Sequence, residues 1–330
     1  MYFVKQIERL EWDHYFCQCH KTNILQSWQY GSSKEQTSKW SVFRFLVVND
    51  KGEPVALAQF LALGIPFLGG IARMNRGPIL IGDVKEGQTE VILSEVILVL
   101  MKQCRKKLWW VIQLAPEMLS LNIGGQHLTK MGLRKLPVPS AGSGLLSLTI
   151  DEDQMMKGLN GKWRNCLRKG LRGNLSIKIS HGKCDELNVL LTRYSQLQEA
   201  NDFSGIPVGL ISSLANQVGP DWEFTLLWAT EEEDADASVC LGMVVIIRHG
   251  DTSTYLIGTT DKKGRALNVN YVLLWNAILY AKKSGSQWFD IGGLNESTPK
   301  GIAHFKRGLN SELYTLIGEW RRVIFPWQLI

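Results

Sequence analysis

The chain has 330 residues, 45% hydrophobic and 21% charged, a globular composition with enough length for two cores of roughly 150 residues each. Its net charge of +6 permits phosphate or nucleic-acid ligands without demanding them. No run of about 18 uncharged apolar residues is present to cross a membrane, Glu8, Glu11 and Asp13 break what would be an apolar signal sequence, and six cysteines without a repeated CxxC spacing indicate neither a metal site nor a disulfide framework; a cytoplasmic protein without a transmembrane segment is expected.

In chain order, LQSWQYGSSK (25–34) precedes a strand, turn and strand over 41–63, with β-rich runs VFRFLVV and VALAQFLAL on either side of Asn49–Glu53. A short strand over 71–75 leads to Arg76-Gly77-Pro78. A helix over 89–107 ends in paired lysines that suit its carboxyl end, and WWVIQLAP follows as an apolar strand. The first copy is expected to close near Thr149, after LLSLTI, with Asp151, Glu152 and Asp153 opening the next helix. Between Gln154 and Cys184 stand eight Lys or Arg and no Asp or Glu, either a solvated helix face or an anion-binding one.

The second half repeats the plan. FTLLWAT, an acidic turn over 231–236 and VCLGMVVII form a hairpin, TYLIGTT leads to Asp261, Gly264 and Arg265, and a helix over 268–283 is followed by QWFDIGG. Matched elements lie about 177 to 182 residues apart, so one supersecondary unit is used twice. The end, 316–330, is strand-like and is expected to return to the first copy. The expected fold is therefore α+β, a duplicated mixed β-sheet flanked by helices, with domains at 1–149 plus 318–330 and at 150–317.

This unit resembles the acyl-CoA N-acetyltransferase (GNAT) core, in which splayed strands leave a cleft for an acyl donor. Four stretches, taken in order, further resemble the FemABX family of peptidoglycan aminoacyltransferases: LQSWQYGSSK; Arg76-Gly77-Pro78; KWRNCLRKG (162–170); and YLIGTT, the helix YVLLWNAILYAKKSG, FDIGG and GIAHFKRGL. The chain is similar to the shorter members, since no paired heptad segment interrupts 185–222. It departs from them after Phe305-Lys306, where Arg307 and Gly308 follow. The resemblance implies an aminoacyltransferase that takes an amino acid from charged tRNA and joins it to an amine of a phosphate-bearing or peptide acceptor, with no further cofactor and with a peripheral membrane contact among its partners. An acyl-CoA-dependent N-acyltransferase is the rival. At the pyrophosphate-binding turn of ordinary acetyltransferases this chain reads Asp261-Lys262-Lys263-Gly264-Arg265-Ala266, and an acidic first residue opposes a pyrophosphate. A non-catalytic RNA- or protein-binding module is the third reading.

An aminoacyl ester is already activated, so amine attack needs placement and stabilisation of an oxyanion rather than a protein nucleophile. By the resemblance, Phe305 and Lys306 lie beside the reaction centre, with Lys306 close to helical amides and to developing negative charge; otherwise Lys306 is a surface lysine. Asp290 is either a proton acceptor at a strand end or a cap for the next turn. Gly292 and Gly293 permit close approach of a ligand to the backbone, or simply a tight turn. Arg164 and Arg168, four residues apart, share one helix face and suit phosphate. The resemblance pairs one of them with Lys34 for acceptor diphosphate; tRNA phosphates are the alternative. Trp28 and Tyr30 line the same groove or fill core, and Arg76 organises a turn or touches substrate.

Overall fold

The structure is a computed structural model that describes residues 1–65, 69–85, 87–119, 124–201, 205–231 and 236–324. The acidic turn expected at 231–236 lies mostly outside the described residues, as do the last six residues of the expected terminal strand.

The first half forms β1 (Tyr2–Gln6), α1 (Arg9–Phe16), α2 (Trp28–Thr37), β2 (Ser41–Asn49), β3 (Pro54–Ile65), β4 (Gly69–Asn75), β5 (Ile79–Leu80), α3 (Thr89–Lys106), β6 (Trp109–Ala115), α4 (Gly124–Lys130) and β7 (Arg134–Lys135). The second forms β8 (Gly142–Ser147), α5 (Glu152–Gly158), α6 (Gly161–Leu171), β9 (Ser176–His181), α7 (Asp185–Asn201), α8 (Val208–Ala215), β10 (Trp222–Thr230), β11 (Gly242–His249), β12 (Thr252–Thr260), α9 (Lys262–Ala266), α10 (Val269–Lys283), β13 (Trp288–Asp290), α11 (Lys300–Arg307) and β14 (Glu312–Thr315). β15 (Trp320–Val323) closes the chain's described part.

Two compact units result. One comprises residues 1–142, Asn295–Ser297 and the described residues from Tyr314 onward; the other comprises Ser143–Leu294 and Thr298–Leu313. The second unit thus begins at Ser143, before the residue 150 read from the sequence. β8 pairs with β13, setting Leu146 opposite Phe289, and Leu148 is buried in the second core. A strand that looked like the end of one copy is held by the apolar face of the next.

Among the described residues the first sheet runs β1-β2-β3-β4-β6-β15-β7 with β5 on β3, and the second runs β14-β8-β13-β12-β11-β10-β9. Each contains three antiparallel strands, a helix, and a strand parallel to the third: β2-β3-β4-α3-β6 in one and β10-β11-β12-α10-β13 in the other. The architecture is that of tandem GNAT-like domains. α3 buries Leu93, Val96, Ile97, Leu100, Met101 and Cys104, the three-and-four spacing of one helix face. α10 buries residues around most of its circumference, because it packs on β11 and also under α6.

The two parallel pairs differ in a way that positions the site. β4 and β6 are zipped from Gly70↔Trp109 to Asn75↔Ala115. β12 and β13 pair only at Thr252–Thr254 with Trp288–Asp290, and β12 then continues to Thr260 without that neighbour. A bulge at Val245/Ile246 leaves Leu256 without an opposite residue on β11. The second sheet is therefore splayed beside Tyr255.

Candidate active site

The splay is filled by the turn that leaves β13. Asp290, only 4% exposed, accepts the Gly292 N–H at 2.8 Å and the Ser143 hydroxyl, which also lies 2.9 Å from the Gly292 carbonyl. This is the capping role considered from the sequence. Gly292 has φ of +73°, and a Cβ there would stand 2.5 Å from the Tyr255 carbonyl oxygen, so both conformation and space require glycine. Gly293 presents its carbonyl to Lys306, whose Nζ donates to it at 2.9 Å and sits 5.4 Å from the centre of the Tyr255 ring.

Lys306 is 7% exposed, which removes the surface-lysine reading. Its place differs from the expectation in one respect. Lys306 belongs to the last turn of α11, near the carboxyl end, and its ammonium meets a loop carbonyl rather than helical amides. Burial pulls its pKa down from 10.5 to about 8, and the Asp290 carboxylate pulls the other way. Burial likewise pushes the Tyr255 phenol up to about 12, so it stays a neutral donor.

Phe305, next to Lys306 on the helix, points elsewhere. Its ring lies 5.9 Å from Trp163 of α6 and 5.1 Å from Tyr271 of α10. These aromatics, with Asn160, Lys162, His304, Arg307 and Gly308, line a small cavity of about 80 Å³. Gly308 is needed there, since a Cβ would stand 2.4 Å from the Trp163 ring. Arg164 is partly buried and donates to the Lys157 carbonyl at 3.0 Å, tying α6 to α5, whereas Arg168 is exposed. The second unit therefore brings together Asp290, Gly292, Gly293 and Lys306, while Phe305 joins α11 to α6 through Trp163.

The remaining candidates belong to the first unit. Gln26, fully buried, donates to the Asn75 carbonyl at 2.7 Å and accepts the Gln59 N–H at 2.8 Å, joining β3 to the end of β4. Gln59 in turn takes the Arg44 guanidinium at 2.9 Å, and Arg44 lies 3.5 Å over Trp28 and donates to its carbonyl. Gly31 leaves room for that assembly, for a Cβ would stand 2.2 Å from Gln59 Oε1. Trp28 also packs edge-on against buried Trp12. Tyr30 and Lys34 follow on α2, both partly buried. Burial raises the Tyr30 pKa. Arg76, at φ of +49°, donates to both carboxylate oxygens of Glu117 at 2.7 and 2.6 Å and to the Tyr314 hydroxyl at 2.7 Å. It organises the turn before the cis Gly77-Pro78 bond.

Sequence reasoning missed Ser143, Trp163, Tyr255 and Tyr271. They lie from 19 to 163 positions away from Asp290 or Lys306 in the chain, and only the alternation of β12 could have drawn attention to Tyr255. A hydroxyl–imidazole contact also exists, His249 Nε2 at 2.8 Å from Thr254 Oγ1, but both residues are buried, at 1% and 8% exposure, away from any acyl group in solution. Among the described residues no group of His, Cys, Asp and Glu is arranged to hold a metal ion, and no helix is long and apolar enough to cross a membrane.

Tandem GNAT-like units, with parallel strands that part in the second, define the class of protein. Residues 225–328 match the model of the FemAB family. In fold the chain is similar to FemX, at 16% identity and a TM-score of 0.77 over 99% of each chain. It is also similar to a tandem GNAT protein from the clavulanic acid biosynthesis pathway, at 10% identity and 0.56 over 99% of each chain. L-PGS from Bacillus licheniformis is similar at 11% identity and 0.50, over 92% of this chain and 94% of that one. No curated protein sequence matches. The family match thus falls on the later part of the chain, and the structural likenesses show the tandem fold.

Proposed function

We propose that this protein moves an amino acid from aminoacyl-tRNA to an amine of a peptidoglycan-precursor peptide, or of another small peptide or amine. The observation that carries this reading is the buried Lys306 ammonium at the glycine turn where β12 and β13 part. The amine nitrogen attacks the ester carbonyl, the carbon–oxygen π pair becomes an oxyanion, and that charge is met by the ammonium in a site of low dielectric. Collapse expels the ribose oxygen, which takes up the proton lost by the amine. Asp290 holds the turn that presents Lys306, and no protein nucleophile takes part.

A charged tRNA is favoured over acyl-CoA by Asp261. Its carboxylate caps α9 by accepting the Gly264 N–H at 2.6 Å, so a negative charge already occupies the amide that a pyrophosphate would use. Arg164 or Arg168 in the second unit, and Lys34 in the first, are each assigned to phosphate of the acceptor or of tRNA, and Trp28 and Tyr30 to the wall beside Lys34. A cytoplasmic site of action goes with charged tRNA as donor. The test is mass spectrometry of the precursor peptide incubated with the protein and either charged tRNA or acyl-CoA. A mass increment of one aminoacyl residue with tRNA alone is expected; an acyl increment with CoA alone overturns the donor assignment.

A further inference from the structure

β8 and β13 turn Ser143 and Asp290 to one face of the second sheet, and the other face serves a different purpose. Leu145 stands opposite Asp290 and Leu146 opposite Phe289, so alternation turns Leu146 and Phe289 away from the Asp290 carboxylate and into the core beneath α10. Ser311 lies on that side as well, because its Oγ stands 2.1 Å from where a Cβ on Gly144 would be. Against this face is a cavity of about 320 Å³, walled by Leu146, by Met155 and Leu159 of α5, by Trp275 and Ile278 of α10 and by Leu309 after α11. A space of this size suits a small molecule, and water gains little from walls of this kind.

The charges around the cavity select its occupant. Among the residues that line it only Glu312 is ionisable, in a chain whose net charge is +6. Glu312 is exposed at the rim, and among the described residues it forms no ion pair. Ile150 and Gln154, also at the rim, bracket Asp151, Glu152 and Asp153 at the start of α5. Lys282 is taken up by the carbonyls of Leu148 and Ile150 and does not line the cavity. An anion would meet negative charge here with no cation to offset it, and a neutral molecule would leave the Glu312 carboxylate without a partner. An apolar body carrying one ammonium uses both features, and the Trp275 indole favours an aromatic body.

We propose that this cavity binds a small arylalkyl amine, with its ring against Met155, Leu159, Trp275 and Ile278 and its ammonium at Glu312. The Asp290 carboxylate lies on the other face of the sheet, so this ligand is distinct from the acyl acceptor. The site is also independent of the donor used by the second unit.

The experiment is titration calorimetry of the full chain with three probes that share one ring: tryptamine, neutral 3-methylindole and anionic indole-3-propionate. Tryptamine is expected to bind once per chain with a dissociation constant at or below about 1 mM, ahead of 3-methylindole, with indole-3-propionate weakest. Glu312→Gln should weaken tryptamine by up to about five-fold, the scale of an exposed ion pair, and leave 3-methylindole unchanged. Glu312→Lys should reverse the order of tryptamine and indole-3-propionate. Glu312 is exposed, so both variants should melt within a degree or two of the parent. A chain that takes up no tryptamine in this range overturns the proposal. So does indole-3-propionate binding as tightly as tryptamine to the parent, or tryptamine binding that neither Glu312 variant alters, which would place the amine elsewhere.

Discussion

Lys306 carries a charge where burial opposes it, and this has consequences for both rate and stability. Lys306→Ala should lower turnover by roughly 10² to 10³, the scale of one lost oxyanion-stabilising donor, with acceptor affinity changed far less. Single-turnover kinetics at saturating donor read this directly. Lys306→Arg should rescue little, because a planar fork cannot replace a compact ammonium between Gly293 and Tyr255. With a folded-state pKa of about 8, the ammonium is present below pH 8 and its contribution to rate is lost as pH rises through 8; the Ala variant should lack that limb. Stability moves the other way. Between about 8 and 10.5 the folded protein has released a proton that the unfolded chain retains, so stability should increase with pH across this window, by on the order of 3 kcal/mol. Denaturant titrations from pH 7 to 10 should show the rise in the parent and none in Lys306→Met. At Gly292 a side chain meets both an unfavourable positive φ and the Tyr255 carbonyl. Gly292→Ala should cost at least 1–2 kcal/mol in a denaturant midpoint and lose turnover besides, since it displaces the turn that presents Lys306.

At the scale of the element, α6 shows why two arginines on one face differ. Arg164 spends a donor on the Lys157 carbonyl and so fastens α6 to α5, while Arg168 stands in solvent. Arg168→Ala should weaken phosphate-bearing ligand by about 1.5 to 3 kcal/mol without a change in melting temperature. Arg164→Ala should lower the melting temperature as well, because a carbonyl loses its charged donor. Calorimetry beside a binding isotherm separates the two. The i, i+4 spacing was legible in the sequence, and the difference between the residues was not, for Lys157 lies on another helix. The opening LQSWQYGSSK gives the same lesson. Its residues were legible as a family pattern, yet the reason for Gln26 and Gly31 is the buried assembly with Gln59 and Arg44, whose partners come from β2 and β3.

At the scale of the whole molecule, the chain finishes its first sheet only after making the second unit. β15 inserts between β6 and β7, and Trp320 and Ile324 are buried in the first core. Trp320→Ala should therefore destabilise the first unit by about 3 to 5 kcal/mol. Limited proteolysis should then cut within residues 1–142 ahead of 143–294; cutting confined to the second segment would count against this account.

The sequence by itself determined the duplication, the order of elements, the terminal return and the stretches that resemble a family, because hydrophobic periodicity and turn residues act over short distances. It offered Lys306, through the family resemblance, and Asp290 with the paired glycines, through their place at a strand end, as site candidates. Tertiary structure alone decided that β8 joins the second unit, since strand membership depends on which apolar face is nearest in space. It alone decided that Asp290 caps a turn, that Arg76 is held by Glu117, and that the parallel strands part in one sheet and stay zipped in the other. The Lys306 charge also belongs to that second group: a lysine in an amphipathic helix reads as solvated, and only its burial beside Gly293 and Tyr255 lowers its pKa, against the opposing pull of the Asp290 carboxylate.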